Sequence, residues 1–207
     1  MTRAPVLLCD LDGVLVASTA AIARVYRVWA ASHGLDGDLV VRTAQGTPSR
    51  EVVRTLLPAR DAVAEAAIIE AAHIAADGVV AVAGARELLE QTPPGRLAVV
   101  TSASAALAAS RWPATGLPVP RVLVTADMVS RGKPDPEGYL LAASLLGAAV
   151  EECVVLEDAP VGVAAARAAG MRVIGVLTSH SRSALEGADA YVDDLRGVAA
   201  VAARLVG

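Results

Sequence analysis

The sequence predicts an α/β protein built on a parallel sheet, with a helical segment inserted after the first strand. From Leu97 onward, short runs of branched apolar residues alternate with helical patterns, which is typical of a parallel sheet with helical connections. Before Leu97 the only such run is Val6 to Cys9, and the chain between the two is helical. We therefore expect residues 17–80 to interrupt a core formed by residues 1–16 and 81–207.

The predicted strands show no period-two alternation, as expected of strands covered on both faces. They are Val6 to Cys9, Leu97 to Val100, Arg121 to Val124, Cys153 to Leu156, Arg172 to Leu177 and Ala190 to Val192. The predicted helices of the core are Ala103 to Ser110, Glu137 to Leu146, Val161 to Ala169 and Ser183 to Glu186. Gly147 and Gly170 follow two of them as C-terminal stops.

The inserted segment contains three predicted helices. In the first, Val25, Tyr26 and Trp29 fall on one face at helical spacing, and we interpret this stripe as core packing of the insertion. The second follows Ser49, and the third covers residues 62–76.

Composition argues against several classes of protein. Of 207 residues, 55% are hydrophobic and 19% are charged, so the chain folds. A net charge of -4 without long basic runs argues against binding to nucleic acid or to an anionic membrane surface. The longest uncharged stretch, Leu97 to Ser110, is shorter than the ~20 residues of a spanning helix.

The amino-terminal run is too short for a signal peptide, so we expect a cytoplasmic protein. Its two cysteines, Cys9 and Cys153, are too few for a disulfide scaffold, and we expect both to be reduced thiols. The sequence gives no indication of oligomeric state.

Lysine is almost absent from the chain. Of 18 basic residues, 17 are arginine and only Lys133 is lysine. In a chain that uses arginine at every other basic position, the single lysine indicates a position that needs a compact ammonium group.

Polar residues follow four of the predicted strands or their loops. In chain order they are Asp10, Asp12, Thr101, Ser102, Lys133, Glu157 and Asp158. Because the carboxyl ends of parallel strands meet at one edge of a sheet, we expect these side chains to gather there. Adjacent acids at the mouth of a buried strand favour a hard cation such as Mg²⁺, and hydroxyls beside a helix N-terminus suit an anion.

In this arrangement the sequence resembles the haloacid dehalogenase superfamily. The four ordered motifs of that family appear as Asp10-Leu11-Asp12-Gly13, Thr101, Lys133 and Glu157-Asp158. Within it, the chain is similar to the branch with a helical cap after the first strand, which includes sugar-phosphate and glycerol-phosphate phosphatases and β-phosphoglucomutase. The resemblance implies a Rossmann-like catalytic core and assigns residues 17–80 to the cap.

The resemblance also implies a role for each motif residue. Asp10 would attack phosphorus and form an aspartyl-phosphate, Asp12 would act as general acid and base, and Lys133 would neutralise negative charge. Thr101 and Ser102 would bind the phosphate group. The implied Mg²⁺ ligands are a carboxylate oxygen of Asp10, the main-chain carbonyl of Asp12, and the carboxylates of Glu157 and Asp158.

The function expected from this resemblance is Mg²⁺-dependent hydrolysis of a small phosphomonoester, such as a sugar or polyol phosphate. A phosphomutase is the alternative, because Arg50 matches a cap position where such mutases have an arginine. Against it, Ile22 stands where β-phosphoglucomutase has a histidine. Arg50 could equally be a solvated residue of a first helical turn. A catalytically silent module would lack a motif residue, and none is missing.

Overall fold

The computed structural model describes residues 4–45 and 47–207 and divides into a core unit and a helical unit. The core unit comprises residues up to Ala17 and from Val80 onward, and the helical unit is Ser18–Val79. The strands are β1 (Val6–Cys9), β2 (Val16–Ala17), β3 (Val80–Ala81), β4 (Leu97–Val100), β5 (Val122–Val124), β6 (Cys153–Glu157), β7 (Arg172–Val176) and β8 (Ala190–Val192).

Nine helices are found in the described part of the chain. They are α1 (Thr19–Ser32), α2 (Gly37–Ala44), α3 (Ser49–Leu56), α4 (Ala62–Ala75), α5 (Ala85–Gln91), α6 (Ala105–Thr115), α7 (Glu137–Leu146), α8 (Pro160–Ala168) and α9 (Val198–Val206). Within residues 4–45 and 47–207, none of these helices has the length and apolar character needed to cross a bilayer.

Six strands form one sheet in the order β5-β4-β1-β6-β7-β8, and every neighbouring pair is parallel. The predicted α/β fold with a parallel sheet is therefore confirmed. β1 lies between β4 and β6, with Cys9 opposite Val99 on one side and Leu156 on the other. The residues that directly follow these three strands consequently emerge at the same edge of the sheet.

The centre of the sheet is buried on both faces. All four residues of β1 are buried, because helices cover the strand and its side chains alternate between the two faces. Val6 and Leu8 pack in one cluster with Tyr139 and Ala142 of α7 and Val163 of α8. Complete burial of a leucine such as Leu8 contributes about 2 kcal/mol. This packing gives the polar residues at the strand ends a rigid support.

β2 and β3 form a separate antiparallel pair, with Val16 opposite Ala81. The sequence did not predict these strands, because two residues are too short to show a pattern. Their pairing brings together the two points at which the chain leaves the core unit and returns to it.

The helical unit has its own apolar core. Tyr26 and Trp29 of α1 are buried in a cluster with Val40 of α2, Val53 of α3 and Ile69 of α4, so the prediction that the aromatic stripe packs internally is confirmed. The sequence analysis did not predict α2. Its N-terminus is capped by Asp36, whose Oδ1 accepts a hydrogen bond from the Asp38 main-chain N–H at 2.8 Å.

One predicted helix is wrong. Residues 182–187, which include the expected helix Ser183 to Glu186, form turns in which Leu185 is buried. A segment of four residues gains too few internal hydrogen bonds to offset the cost of nucleating a helix. α5 and α9 were not predicted.

Candidate active site

Asp10 is the first residue after the central strand. Its main-chain N–H donates to the carbonyl of Leu156 at 3.0 Å, which continues the pairing of β1 with β6 by one residue. The side chain is 10% exposed. Burial raises the pKa of the Asp10 carboxyl well above its ordinary value, and the nearby carboxylates of Glu157 and Asp158 act in the same direction. Asp10 therefore needs positive charge beside it to act as an anion.

Lys133 supplies one such charge. Its Nζ donates to Oδ1 of Asp10 at 2.5 Å, to Oε1 of Glu157 at 2.6 Å and to the carbonyl of Val100 at 3.2 Å. Burial alone would lower the pKa of Lys133, but the two carboxylates raise it above its ordinary value. The solitary lysine of the chain is thus held as a buried ammonium between two acids.

The loop that carries Lys133 is shaped by local contacts. The carboxylate of Glu137, at the start of α7, accepts hydrogen bonds from the main-chain N–H groups of Ser130 at 2.8 Å and Arg131 at 3.0 Å. The peptide bond between Lys133 and Pro134 is cis. The two hydrogen bonds connect the residues before Lys133 to the start of α7 after it.

Glu157 is the last residue of β6, and its side chain is 1% exposed. Oε1 accepts from Lys133 and also from the hydroxyl of Tyr139 at 2.7 Å, while Oε2 accepts from the main-chain N–H groups of Asp158 at 3.0 Å and Ala159 at 3.2 Å. A Cβ built at Gly162 would overlap this carboxylate. Both oxygens accept hydrogen bonds, and Oε1 anchors Lys133. The implied role of Glu157 as a metal ligand stays a prediction.

Asp158 lies next to Glu157 and has different partners. Its Oδ2 accepts a hydrogen bond from the hydroxyl of Ser179. A Cβ built at Gly13, whose φ is +99°, would overlap the Asp158 carboxylate, so the loop after β1 packs directly against it. Burial raises the pKa of Asp158 to about 7, and the charge of Glu157 contributes to the rise.

These observations test whether the site fits Mg²⁺. Asp10 and Asp158 are buried carboxylates, and burial together with the like charge of Glu157 raises the pKa of both. Oxygen donors of this kind suit a hard divalent cation. Among the described residues, no group of three or more histidine, cysteine, aspartate or glutamate side chains is arranged to hold a metal ion. Of the ligands that the resemblance implies, Asp10 and Asp158 are buried acids whose oxygens suit the ion. The contacts of the ion with the main-chain carbonyl of Asp12 and with Glu157 stay predictions.

The predicted phosphate-binding hydroxyls follow β4. Thr101 is buried, and its Oγ1 accepts from the main-chain N–H of Ala103 at 3.0 Å, which leaves the hydroxyl proton available for an anion. Ser102 is exposed. The start of α6 is fixed by Ser104, whose Oγ accepts from Leu107 N–H at 3.1 Å. The roles of Thr101 and Ser102 stay predictions.

Asp12 lies two residues beyond Asp10 and forms an ion pair with Arg111, which the sequence analysis did not identify as a site residue. The Nε of Arg111, on α6, donates to Oδ1 of Asp12 at 3.0 Å. The Arg111 side chain is 3% exposed and that of Asp12 is 19% exposed. The sequence contained one indication of this role, since Arg111 is the only charged residue of α6.

Three residues of the loop after β7 also contact the site, and the sequence analysis did not predict them. Thr178 donates through its hydroxyl to the carbonyl of Gly13, and Ser179 contacts Asp158 as described above. His180 places Nδ1 2.9 Å from the carbonyl of Asp158. Because β7 is parallel to β6, the loop after β7 lies at the same edge of the sheet as Glu157 and Asp158. The position of this loop after a predicted strand could have indicated that its residues belong to the site.

Arg50 belongs to the helical unit and is exposed in the first turn of α3. In the same unit, the hydroxyl of Tyr26 and Oγ of Ser49 are 2.9 Å apart. The prediction that Arg50 contacts a substrate stays a prediction.

The chain resembles known proteins over most of its length. A family model described as haloacid dehalogenase-like hydrolase matches residues 7–176. Hexitol phosphatase A of Escherichia coli (strain K12) is 43% identical over 177 residues, which cover 82% of this chain and 81% of that protein. Validoxylamine A 7'-phosphate phosphatase of Streptomyces hygroscopicus subsp. limoneus is 40% identical over 206 residues, covering 93% and 95%.

A solved structure with a similar fold is a hydrolase from Pseudomonas syringae. The two structures superpose with a TM-score of 0.82 at 25% sequence identity, over 98% of this chain and 100% of the other. The similarity thus extends through both units of the chain.

Proposed function

This chain belongs to the haloacid dehalogenase-like hydrolases and is a phosphoric monoester hydrolase, and we propose that it hydrolyses a sugar or polyol phosphate through an aspartyl-phosphate on Asp10, with Mg²⁺ as cofactor. The observation that carries the proposal is the contact of the Lys133 ammonium with Oδ1 of Asp10 at 2.5 Å, next to the buried carboxylate of Asp158. A carboxylate approaches a phosphate dianion only where positive charge offsets their repulsion.

The residues act in two chemical steps. In the first, a carboxylate oxygen of Asp10 forms a bond to phosphorus while the bond from phosphorus to the ester oxygen breaks, and Asp12 donates a proton to that oxygen. In the second, Asp12 accepts a proton from water as the water oxygen attacks phosphorus, which releases inorganic phosphate and restores the Asp10 carboxylate. Asp12 must therefore be protonated when the ester binds.

The surrounding groups hold the phosphate and neutralise charge. Lys133 stays cationic, because the carboxylates of Asp10 and Glu157 both contact its ammonium group and raise its pKa. Thr101 and Ser102 would hydrogen-bond the phosphate oxygens. Mg²⁺, held by the carboxylates of Asp10 and Asp158 and the main-chain carbonyl of Asp12, would supply the remaining positive charge.

The substrate class rests on the names of the relatives. A hexitol phosphatase and a validoxylamine phosphate phosphatase, both at least 40% identical to this chain, favour a small ester with a hydroxylated leaving group. Arg50 of the helical unit remains the candidate for contact with the part of the substrate distant from phosphorus.

A phosphate-release screen tests the proposal. Sugar, polyol and nucleotide monophosphates are incubated with the protein and Mg²⁺, and we expect release from one or more sugar or polyol phosphates. Asp10→Asn should abolish release, whereas Asp193→Asn, at an exposed aspartate of the core unit, should not. α- and β-glucose 1-phosphate are included, since an isomerised ester instead of free phosphate would indicate a mutase. No turnover of any monoester would refute the proposal.

A further inference from the structure

Arg111 has no role in the chemistry described so far, although it is among the most deeply buried charged residues of the core unit. It lies in the middle of α6 with a side chain that is 3% exposed, and its Nε is 3.0 Å from Oδ1 of Asp12. Burial of a guanidinium is unfavourable unless an acceptor compensates for the lost water. Asp12 is one such acceptor.

Asp12, one partner of Arg111, lies on a loop distant in the chain. Asp12 is 99 positions away in the chain, on the loop after β1, and its side chain is 19% exposed. The buried guanidinium of Arg111 thus holds the Asp12 carboxylate, part of which remains exposed to solvent. A residue held in this way has a defined orientation toward whatever enters the site.

The contact also distinguishes the two oxygens of Asp12. Nε of Arg111 donates to Oδ1, which can accept this bond whether the carboxyl group is protonated or not. Since Oδ1 accepts this bond, we assign the transferable proton to the other oxygen, Oδ2.

We propose that Arg111 is a positioning residue that orients Asp12 for proton transfer by holding Oδ1, so that Oδ2 delivers the proton to the leaving oxygen. The inference rests on the proposed function. In the step concerned, the bond from phosphorus to the ester oxygen breaks and the proton on Oδ2 moves to that oxygen. In the second step, water returns a proton to the same atom.

Leaving-group dependence separates this role from a purely structural one. p-Nitrophenolate departs without a proton, whereas the alkoxide of an alkyl phosphate needs one. We compare kcat/KM, which covers only the steps up to departure of the leaving group and not the hydrolysis of the aspartyl-phosphate common to both substrates. We expect Arg111→Met to lower kcat/KM about tenfold or more for the alkyl phosphate turned over best in the screen, and less than about threefold for p-nitrophenyl phosphate. Arg111→Lys should fall between Arg111→Met and the unchanged protein.

Arg86→Met is the matched control. Arg86 also holds α6, because its Nη2 donates to the carbonyl of Gly116 at the C-terminal end of that helix at 2.6 Å, but it has no part in the proposed proton transfer. This variant should change both substrates by the same factor. An equal loss on both substrates in Arg111→Met would overturn the inference and leave Arg111 as an anchor of α6.

A double substitution provides a second criterion. If Arg111 acts through Asp12, then Arg111→Met should have no further effect on the alkyl phosphate once Asp12 is changed to Asn. A drop in the double variant as large as that in the single variant would overturn the inference. Mg²⁺ affinity, measured by calorimetry, should be the same in Arg111→Met as in the unchanged protein, since the expected metal contact of Asp12 is its main-chain carbonyl.

The outcomes distinguish the inference from the proposed function. If Asp12→Asn itself shows no preference for the activated ester, the acid assignment fails and the inference fails with it. If Asp12→Asn shows the preference and both Arg111 variants do not, only the inference fails. Thermal unfolding is recorded for every variant, and where Arg111→Met does not fold, Arg111→Lys is judged by the same ratio.

Discussion

Lys133 and Glu157 form a buried ion pair, with Nζ 2.6 Å from Oε1 and side chains that are 9% and 1% exposed. The pair places the ammonium beside Asp10 and fixes it through a carboxylate that is itself held by Tyr139. Glu157 therefore positions Lys133. We expect this role to take the place of the metal contact that the family resemblance implies for Glu157.

Glu157→Gln tests this assignment. We expect kcat to fall about 100-fold and the free energy of unfolding to fall by about 1 to 3 kcal/mol, because Lys133 loses a charged acceptor in a buried site. Mg²⁺ affinity should change less than about tenfold, since the carboxylate is not a direct ligand. Steady-state kinetics, urea unfolding and calorimetric Mg²⁺ titration measure the three effects. Glu151→Gln, at an exposed glutamate before β6, is the control, and complete loss of Mg²⁺ binding in Glu157→Gln would contradict the assignment.

Mg²⁺ binding should depend on pH through Asp158. Its pKa is raised to about 7, so below pH 7 the metal-free carboxyl is protonated and must release a proton to bind the ion. We expect the apparent dissociation constant to rise about tenfold for each pH unit below 7, as measured by calorimetry between pH 5 and pH 8. Asp158→Asn should bind Mg²⁺ weakly at every pH. A flat profile in the unchanged protein would show that Asp158 is not a ligand.

The stability of the metal-free protein should also depend on pH through Asp158. A carboxyl whose pKa is higher in the folded state contributes stability that is fully present below its unfolded pKa and is lost as the pH rises through the folded pKa. For Asp158 the loss falls between about pH 4 and pH 7. In the presence of a chelator, urea unfolding should show this contribution in the unchanged protein and not in Asp158→Asn. Equal pH dependence in both proteins would contradict the prediction.

Ser179→Ala removes the hydroxyl that donates to Oδ2 of Asp158. Loss of a hydrogen-bond partner of a metal ligand weakens metal affinity about 10- to 100-fold, and we expect a change in this range by calorimetric Mg²⁺ titration. Ser183→Ala, at an exposed serine of the following turn, should leave the affinity unchanged. Equal affinity in both variants would mean that the Ser179 contact does not support the ion.

The two cysteines should be unreactive in the folded protein. Both are free and buried, and burial raises the pKa of Cys9 to about 12 and that of Cys153 to about 11. Because the thiolate is the reactive form, we expect neither thiol to react with a colorimetric disulfide reagent at pH 8, and both to react after unfolding in urea. Rapid reaction of one thiol in the native protein would contradict its burial.

The sheet could be predicted because its signals are local. Runs such as Val6 to Cys9 are short, apolar and branched, and they fit a strand covered on both faces wherever the sheet places them. The short α2 and the two-residue strands β2 and β3 were missed, since their few residues give a weak pattern. α2 is defined largely by the cap at Asp36.

The sequence by itself determined which chemical groups stand at the ends of the strands, because strand ends and the residues after them follow from local apolar patterns. The sequence thereby identified Asp10, Lys133 and Asp158 as candidate site residues and gave their order in the chain. Only the tertiary structure decided which partners these groups have. Lys133 contacts Oε1 of Glu157, Ser179 donates to Asp158, and Arg111 donates to Asp12. The reason is that hydrogen bonds act over about 3 Å, and which groups come that close depends on how elements distant in the chain pack together.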